Sequence, residues 1–299
     1  MRFNSSVLLE RKVVVLACRR RSAACEAPEA RCVRESFPIL LRVALAAAGV
    51  ALFSPTLALA QTQPYKSVQE QKRWSVEVGG GPVYGFSANG GSTSETNLTP
   101  WISFNYGNRF YANGLDGVGY NFINVDDLRI GGQLRPRYAS GDAAGGTLER
   151  PGFGIDATVY AFKRIAGNVV VGGRVTHDLS GVSDGTQLFG SVGHQKVTRV
   201  GLLQTIGYVR VGDRKVVRAY YGLTPEDSIA SGLPAYSPGG GVQSAGVAAL
   251  LMVPFGDRYG AGGFINYERI LGDAADSPLV AHASVWRAGL IVVRRFGRD

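Results

Sequence analysis

The chain has 299 residues, of which 41 are glycine, 13 tyrosine and 13 phenylalanine. Glycine averages about 7% of residues in proteins, so this composition favours an all-β architecture over a helical one. Residues 1–60 carry 9 Lys/Arg against 4 Asp/Glu and the remaining residues carry 23 against 19. The basic excess therefore lies mainly at the N-terminus, and without a basic stripe interleaved with aromatics it does not indicate a nucleic-acid-binding protein.

The N-terminal segment is predicted to be a secretory signal peptide that spans residues 37–60. The apolar run Val43–Phe53 has 11 residues and is followed by small residues that place cleavage between Ala60 and Gln61. An uncleaved membrane helix is the alternative, but about 20 apolar residues are needed to span a bilayer. The signal peptide predicts export across the inner membrane.

Residues 1–36 precede this segment as an N-terminal extension. Either the start codon has been assigned too early or the signal peptide has an unusually long N-terminal region. The three cysteines, Cys18, Cys25 and Cys32, all lie here. The predicted mature chain, residues 61–299, therefore has no thiol for a disulfide or a thiolate metal site.

From Trp74 onward the chain alternates apolar and polar residues with the period of two that indicates β-strands. The apolar face of residues 74–84 begins at Trp74 and ends at Tyr84, as expected for a strand that crosses a bilayer between two aromatic bands. Twelve strands are predicted, most of them long enough to cross a membrane when tilted. They span residues 74–84, 99–106, 109–123, 127–138, 152–163, 167–178, 184–197, 199–211, 214–222, 242–254, 257–269 and 284–296.

Such alternation fits either a soluble β-sandwich or a membrane barrel. Strand length and the aromatic ends favour the barrel, so the predicted fold class is an all-β transmembrane antiparallel β-barrel of about 12 strands. An even number of strands places both termini in the periplasm, with long loops outside and short turns at the periplasmic end. One connection, residues 139–151, is long where a short turn is predicted.

The external loop after the ninth predicted strand contains a helix signal. Thr224 is a hydroxyl cap, Pro225 occupies the first helical position, and Glu226 and Asp227 supply acids in the first turn. The spacing predicts one short helix, closed at Gly232, in a loop where water can satisfy backbone groups that lipid cannot.

Two long motifs in this region resemble the MipA/OmpV family, the MltA-interacting outer-membrane proteins. They are YYGLTPEDSIASGLPAYSPGGG at 220–241 and RILGDAADSPLV at 269–280, and a weaker resemblance extends from Trp74 to Phe296. The resemblance implies an outer-membrane β-barrel and no catalytic residues. In the best-known member it implies a scaffold that links a lytic transglycosylase to a murein-synthesising penicillin-binding protein. Other members are similar to porins or adhesins.

Charged residues on the polar faces of the strands are predicted to point into the barrel lumen. This candidate set is Arg129, Arg135, Arg137, Arg174, Arg287, Glu77, Asp156, Asp178 and Glu268. Charges that pair across the lumen would lock and close the barrel, whereas unpaired arginines would favour anions in a conducting pore. Acids and bases alternate among neighbouring strands, which favours pairing.

Other chemistry has weaker signals. His177, His194 and His282 are the only histidines, and no spacing singles out one of them beside a nucleophile, as a hydrolase requires. No enzymatic activity is therefore predicted. Asp273 and Asp276 lack the spacing of a calcium loop and are interpreted as turn or capping acids. No cofactor, metal ion or nucleic-acid partner is predicted.

These patterns predict a structural role in the outer membrane of a Gram-negative bacterium. The predicted partners are outer-membrane lipid and, through the resemblance, a lytic transglycosylase and a penicillin-binding protein, held as a murein synthase complex at the cell envelope. Residues 61–73 and 139–151 are predicted to form part of the contact surface, because both are expected to face the periplasm. The alternative is a small-solute porin or an adhesin that uses the external loops.

Overall fold

The fold is known from a computed structural model that describes residues 74–86, 90–91, 94–138, 148 and 151–298. The predicted extension, signal peptide, cleavage site and lead-in, residues 1–73, lie outside the described residues, as does most of the connection 139–151.

In the described part of the chain, twelve antiparallel strands form a closed barrel in which every strand pairs with its sequence neighbours and β1 pairs with β12. The predicted fold class is confirmed. The strands are β1 (Trp74–Phe86), β2 (Ser94–Tyr106), β3 (Phe110–Asn113), β4 (Gly117–Asn124), β5 (Leu128–Arg137), β6 (Gly154–Ala166), β7 (Val169–Asp178), β8 (Thr186–Val197), β9 (Leu202–Gly212), β10 (Gly241–Phe255), β11 (Tyr259–Ile270) and β12 (Ser284–Arg298).

The two faces of each strand differ as the alternation predicts. In β6, Asp156, Thr158 and Tyr160 are buried, whereas Ile155 is 45% and Val159 60% exposed. Because successive side chains of a strand point to opposite faces, polar and aromatic groups fill the interior and aliphatic groups cover the outside. An apolar outer surface of this kind is the surface that a barrel presents to lipid.

Exposed aromatic residues lie near both ends of the outer surface. Tyr84 contacts Trp286 near one end, with ring centroids 5.3 Å apart. Phe255 stacks on Tyr259 near the other end, at 5.8 Å. These pairs have the positions expected of the two aromatic girdles of a transmembrane barrel.

The two ends of the barrel differ in their connections. One end, called here the turn end, holds both termini of the barrel and the short connections 107–109, 125–127, 167–168, 198–201 and 256–258. The other end, called the loop end, holds the connections 87–93, 114–116, 138–153, 179–185, 213–240 and 271–283. Short turns and termini mark the periplasmic end in barrels of this class.

The predicted strand 109–123 is wrong, because it is divided into β3 and β4 by a turn. Asn113 Oδ1 accepts hydrogen bonds from the backbone N–H groups of Leu115 (2.9 Å) and Asp116 (2.6 Å). Gly117 has a φ of 74°, which glycine adopts without steric cost. Leu115 and Asp116 are buried, so this turn folds into the barrel.

The predicted strand 214–222 is also wrong, because residues Arg214–Tyr221 form a helix, α1. The side chain of Asp213 accepts a hydrogen bond from the N–H of Val216 at 2.9 Å and so caps the first turn. Val216, Val217 and Tyr221 are buried. The alternation of apolar residues here reflects burial of a helix rather than of a strand.

These two errors cancel in the strand count but not in the topology. With β3 and β4 separate, β5 ends and β6 begins at the loop end. The long connection 139–151 therefore belongs with the other long loops. The prediction that it shares the periplasmic face with residues 61–73 is corrected.

The helix signal at Thr224 is confirmed by a second helix, α2 (Pro225–Ser231). Thr224 Oγ1 accepts from the N–H of Asp227, and Asp227 Oδ2 accepts from the N–H of Thr224, both at 3.1 Å. Gly232 ends the helix with a φ of 73°. A third short helix, α3 (Gly272–Ala275), lies in the connection between β11 and β12. Within the described residues, no helix has the length and apolar character needed to cross a membrane.

Candidate functional site

The interior of the barrel holds most of the predicted lumen charges, and one group of them is centred on Glu268. Its carboxylate is 3.0 Å from Arg210 Nη1 and 3.2 Å from Arg287 Nη2. It also accepts hydrogen bonds from Ser244 Oγ at 2.6 Å and Tyr208 Oη at 3.1 Å. The side chains of Glu268 and Arg287 are each 1% exposed. This Glu268 cluster joins four strands, β9 to β12, through one buried carboxylate.

A second group is centred on Arg137 near the loop end. Its guanidinium lies 3.0 Å from Asp156 and 2.8 Å from Asp178, so it joins β5 to β6 and β7. Asp178 also accepts backbone hydrogen bonds from Ser180 at 2.8 Å and Ser183 at 2.5 Å. This Arg137 cluster therefore fixes both the strand ends and the connection that follows β7.

Arg135, Arg174 and Asp116 are buried deeper in the barrel, with exposures of 7%, 7% and 2%. Arg135 Nε donates to the carbonyl of Leu115 at 3.3 Å, which holds the inward turn between β3 and β4. Arg174 lies over the ring of Phe189, with 4.5 Å between the guanidinium carbon and the ring centroid. In the described part of the chain, neither arginine has a carboxylate oxygen within 4.0 Å.

The remaining predicted charges lie toward the turn end. Glu77 pairs with Arg295, whose Nη2 is 2.6 Å from the carboxylate, but the Arg295 side chain is 54% exposed. Arg129 is half-buried and lines the cavity described below. The structure therefore brings six of the nine predicted residues into two ion-pair clusters and one surface pair, and leaves Arg135 and Arg174 outside them among the described residues.

Sequence reasoning missed Arg210, Tyr208 and Asp116. The first two share a strand face with Gln204 and Ile206 in LLQTIGYVRVG, so alternation alone would have found them. Asp116 was missed for a different reason: it was assigned to a strand, whereas it lies in the inward turn.

Aromatic side chains fill the space between the charged groups. Tyr111, Tyr160, Phe162 and Val170 form one buried cluster, and Phe189 stacks on Tyr208 at 5.5 Å in another. Glycine makes room for these rings: a Cβ atom at Gly119 would overlap the ring of Tyr111. The interior is therefore built as a core with polar groups embedded in it.

The loop end is covered by a lid, defined here as residues 213–240 together with 271–283. In α1, Val217 and Tyr221 pack against Ile270 at the end of β11 and Ala274 in α3. Burial raises the pKa of Tyr220 to about 12, with opposing effects from Arg137 and Asp156. Burial also raises the pKa of Tyr221, with the charge of Glu268 adding to the effect. The two adjacent tyrosines thus lie near different charge clusters, and α1 extends over both.

Hydrogen bonds tie the two parts of the lid together. The Tyr236 hydroxyl donates to the carbonyl of Asp273 at 2.8 Å, and the Gly239 N–H donates to the Asp273 carboxylate at 2.7 Å. Ser277 Oγ donates to the carbonyl of Tyr221 at 2.6 Å. Asp273 is thus occupied by contacts within the lid, in keeping with its interpretation as a turn acid.

The histidines are not brought together. His177 is exposed on β7 and its Nδ1 lies 3.0 Å from Thr186 Oγ1. His194 is exposed on β8, and His282 lies in the lid with its ring 5.2 Å from that of Phe86. Over the described ranges, no group of three or more His, Cys, Asp and Glu side chains has the arrangement of a metal site.

Comparison with known families decides the assignment that the fold leaves open. The family described as MltA-interacting protein MipA matches residues 78–296, which is most of the chain and nearly the whole barrel. The chain belongs to the MipA family. Its fold and family make it an outer-membrane β-barrel protein.

Solved structures show weaker likenesses. An outer-membrane channel from Pseudomonas putida F1 is 13% identical, with 79% of this chain and 99% of that chain covered and a TM-score of 0.38. The CymD monoaromatic hydrocarbon channel is 9% identical, with 85% of this chain and 96% of that chain covered and a TM-score of 0.39. OmpT of Vibrio cholerae is 8% identical, with 77% of this chain and 100% of that chain covered and a TM-score of 0.33. Among curated proteins, none matches this chain. TM-scores this low say nothing about function.

Proposed function

We propose that this outer-membrane barrel is a structural scaffold that holds a lytic transglycosylase and a murein synthase at the cell envelope. The observation that carries the proposal is the filled loop half of the lumen. Inside the barrel, the Glu268 cluster joins β9 to β12 and the Arg137 cluster joins β5 to β7, and the lid covers them. A barrel closed in this way is poorly suited to passing solutes, so its function is assigned to its surfaces.

The family supports the identity of the partner. The family is named for an interaction with MltA, and the resemblance of the motifs at 220–241 and 269–280 implies a lytic transglycosylase and a penicillin-binding protein. Enzymes that act on murein work in the periplasm. The turn end, which is periplasmic in barrels of this class, is therefore the proposed contact surface.

The turn end carries an excess of exposed basic groups. Arg109, Arg199 and Arg258 are exposed in its connections, and Lys163 and Lys196 are exposed on the strands next to them. The exposed acids Asp126, Asp127 and Asp257 equal the three arginines of these connections in number, so the excess comes from the two lysines on the strands. A surface with this charge favours a partner that presents acidic groups, because complementary charge raises the association rate and selects the partner.

Side-chain contacts hold the turns of this end in fixed conformations. The amide nitrogens of Asn121 and Asn124 both donate to the carbonyl of Asn108. Thr198 Oγ1 donates to the carbonyl of Gly201 at 2.8 Å. A preorganised surface loses little conformational entropy on binding, which suits a platform for other proteins. Residues 61–73 precede Trp74, the first residue of β1 at this end, and belong to the proposed surface.

The test is capture of a purified lytic transglycosylase by the refolded chain, residues 61–299, in lipid nanodiscs. The double variant Arg199→Glu/Arg258→Glu reverses charge at the turn end, and Arg214→Glu/Lys215→Glu makes the same charge change on exposed α1 residues at the loop end. We expect affinity to fall about tenfold or more for the turn-end variant and to stay unchanged for the loop-end control. Absence of capture by the unmodified chain, or equal loss in both variants, would reject the scaffold role.

A small-solute porin is the second candidate, because empty space remains inside the turn half of the barrel. Conduction would require the lid and both ion-pair clusters to move aside. Ion conductance separates this candidate from the scaffold.

A further inference from the structure

A cavity occupies the barrel interior on the turn-end side of the charge clusters. Its volume is about 40 Å³. Asn121, Val170 and Gln195 line it within a few residues of the turn-end connections, whereas Arg174 lines it near the middle of β7. The cavity therefore runs from the turn end to Arg174, and the filled loop half closes it beyond that point.

Arg174 and Arg135 differ from the other buried arginines of the interior, and of these two Arg135 donates to the carbonyl of Leu115. Arg137, Arg210 and Arg287 each lie within 3.2 Å of a carboxylate. Arg174 is only 7% exposed, yet its Nη1 has no hydrogen-bond partner, and no carboxylate of the described residues lies within ion-pair distance of it. Its described contact is with the face of Phe189, at 4.5 Å.

A buried guanidinium in this state is unfavourable unless an opposite charge or hydrogen-bond acceptors meet it. Asp116, which also lines the cavity, offsets part of this cost because its negative charge acts on Arg174 from beyond ion-pair distance. One of its oxygens is 3.4 Å from Asn113 Nδ2 and the other has no hydrogen-bond partner. The aromatic face of Phe189 offsets only part of the cost, because a cation–π contact is weaker than a buried ion pair.

One neighbouring hydroxyl lies next to Arg174 on its turn-end side. In the register of β7 and β8, Arg174 lies opposite Phe189 and Gly172 lies opposite Ser191. Ser191 is therefore the next inward-facing residue toward the turn end, and Gln195 lies two inward positions beyond it. Both line the cavity. A guanidinium with a hydroxyl near it is a donor set suited to the oxygens of a carboxylate or a phosphate.

We propose that this cavity is a binding site for a small oxyanion, a carboxylate or a phosphate, which enters from the turn end and is held by Arg174 with Ser191. The bound anion would supply the negative charge that the protein does not place beside Arg174. The proposal is independent of the scaffold role, since it concerns the interior and not the rim of the turn end.

The experiment uses the refolded chain, residues 61–299, in detergent at constant ionic strength set with chloride. Inorganic phosphate and acetate are titrated, binding is measured by calorimetry, and the unfolding temperature is followed by heat-modifiable gel mobility. We expect a saturable rise in unfolding temperature with at least one of the two anions, because a ligand that binds only the folded state stabilises it. A response to phosphate alone assigns a phosphate ligand, and a response to acetate alone assigns a carboxylate.

The variant Arg174→Gln separates the site from general salt effects. It should abolish the response to anions, and without anion it should be as stable as the unmodified chain or more so, because an unpaired buried charge has been removed. Arg295→Gln removes a cation whose partner is the surface residue Glu77 and should keep the full response.

If Arg174→Gln does not fold, Arg174→Lys provides the same test, since it keeps a charge but loses the two-pronged geometry and should bind the anion more weakly. An equal response in the unmodified chain and the Arg174 variants would overturn the proposal. No response to either anion would also overturn it, and would mean that water alone fills the cavity.

Discussion

Replacing Glu268 by glutamine should destabilise the barrel more than any other single charge change described above. The carboxylate is 1% exposed and serves two arginines, with 3.0 Å to Arg210 and 3.2 Å to Arg287. Glutamine has nearly the same shape, so packing is kept while both guanidinium groups lose their counter-charge. Breaking a buried ion pair from one side costs about 3–5 kcal/mol. We expect the free energy of unfolding to fall by that amount.

The assay is equilibrium unfolding by guanidinium chloride of the barrel refolded in detergent or lipid vesicles, followed by tryptophan fluorescence and gel mobility. Glu77→Gln is the matched control: it makes the same chemical change in a pair whose arginine is 54% exposed, and such pairs contribute about 0–1 kcal/mol. The double variant Glu268→Gln/Arg287→Met should recover part of the loss, because one stranded charge is removed. A loss below about 1 kcal/mol for Glu268→Gln, or equal losses at Glu268 and Glu77, would refute the central role of this cluster.

Three further predictions concern the lid. Asp213→Ala removes hydrogen bonds to the N–H groups of Val216 (2.9 Å) and Thr186 (2.7 Å), so hydrogen exchange in α1 should indicate a loss of about 1–2 kcal/mol with unchanged barrel mobility on gels. Burial holds the pKa of Tyr220 at about 12, above the ordinary value of about 10. Tyr220 therefore loses its proton at lower pH when the lid is open, and the stability of the closed lid should fall as pH rises from 10 toward 12. Tyrosinate absorbance and hydrogen exchange in the lid measure this fall. Tyr220→Phe should flatten the pH dependence. Thr224→Ala removes the capping box of α2, a helix that buries no residue, so hydrogen exchange should rise in α2 alone. A rise in α1 as well would contradict the independence of the two helices.

Strand alternation was sufficient to predict the barrel because the outer face of each strand is apolar and faces lipid, whereas the inner face is buried among polar and aromatic groups. Residues such as Asp156 and Ile155 follow one another in sequence and are buried and exposed in turn. The same rule failed at 109–123, where Asn-Gly and Asp-Gly sequences inside an alternating run indicate turns. It failed again at Arg214–Tyr221, where the Asp213 cap and the burial of Val217 against Ile270 depend on a lid that only the folded barrel assembles.

Only part of the pairing of the lumen charges could be predicted from the sequence. Alternation indicates which side of a strand a charge occupies, but it does not indicate a partner two strands away. Arg137 on β5 pairs with Asp178 on β7, and Arg210 on β9 pairs with Glu268 on β11. Those contacts depend on barrel closure and on the register of every intervening strand. For the same reason the sequence could not show that Arg174, unlike Arg137, Arg210 and Arg287, has no carboxylate of the described residues within ion-pair distance.

The most direct test of the account is the ionic current through the refolded chain, residues 61–299, in a planar bilayer, with gel mobility as the control for folding. The filled loop half and the lid predict a folded barrel that inserts and stays electrically silent. A steady current from the folded, unmodified protein would contradict the closed interior and move the function to that of a porin.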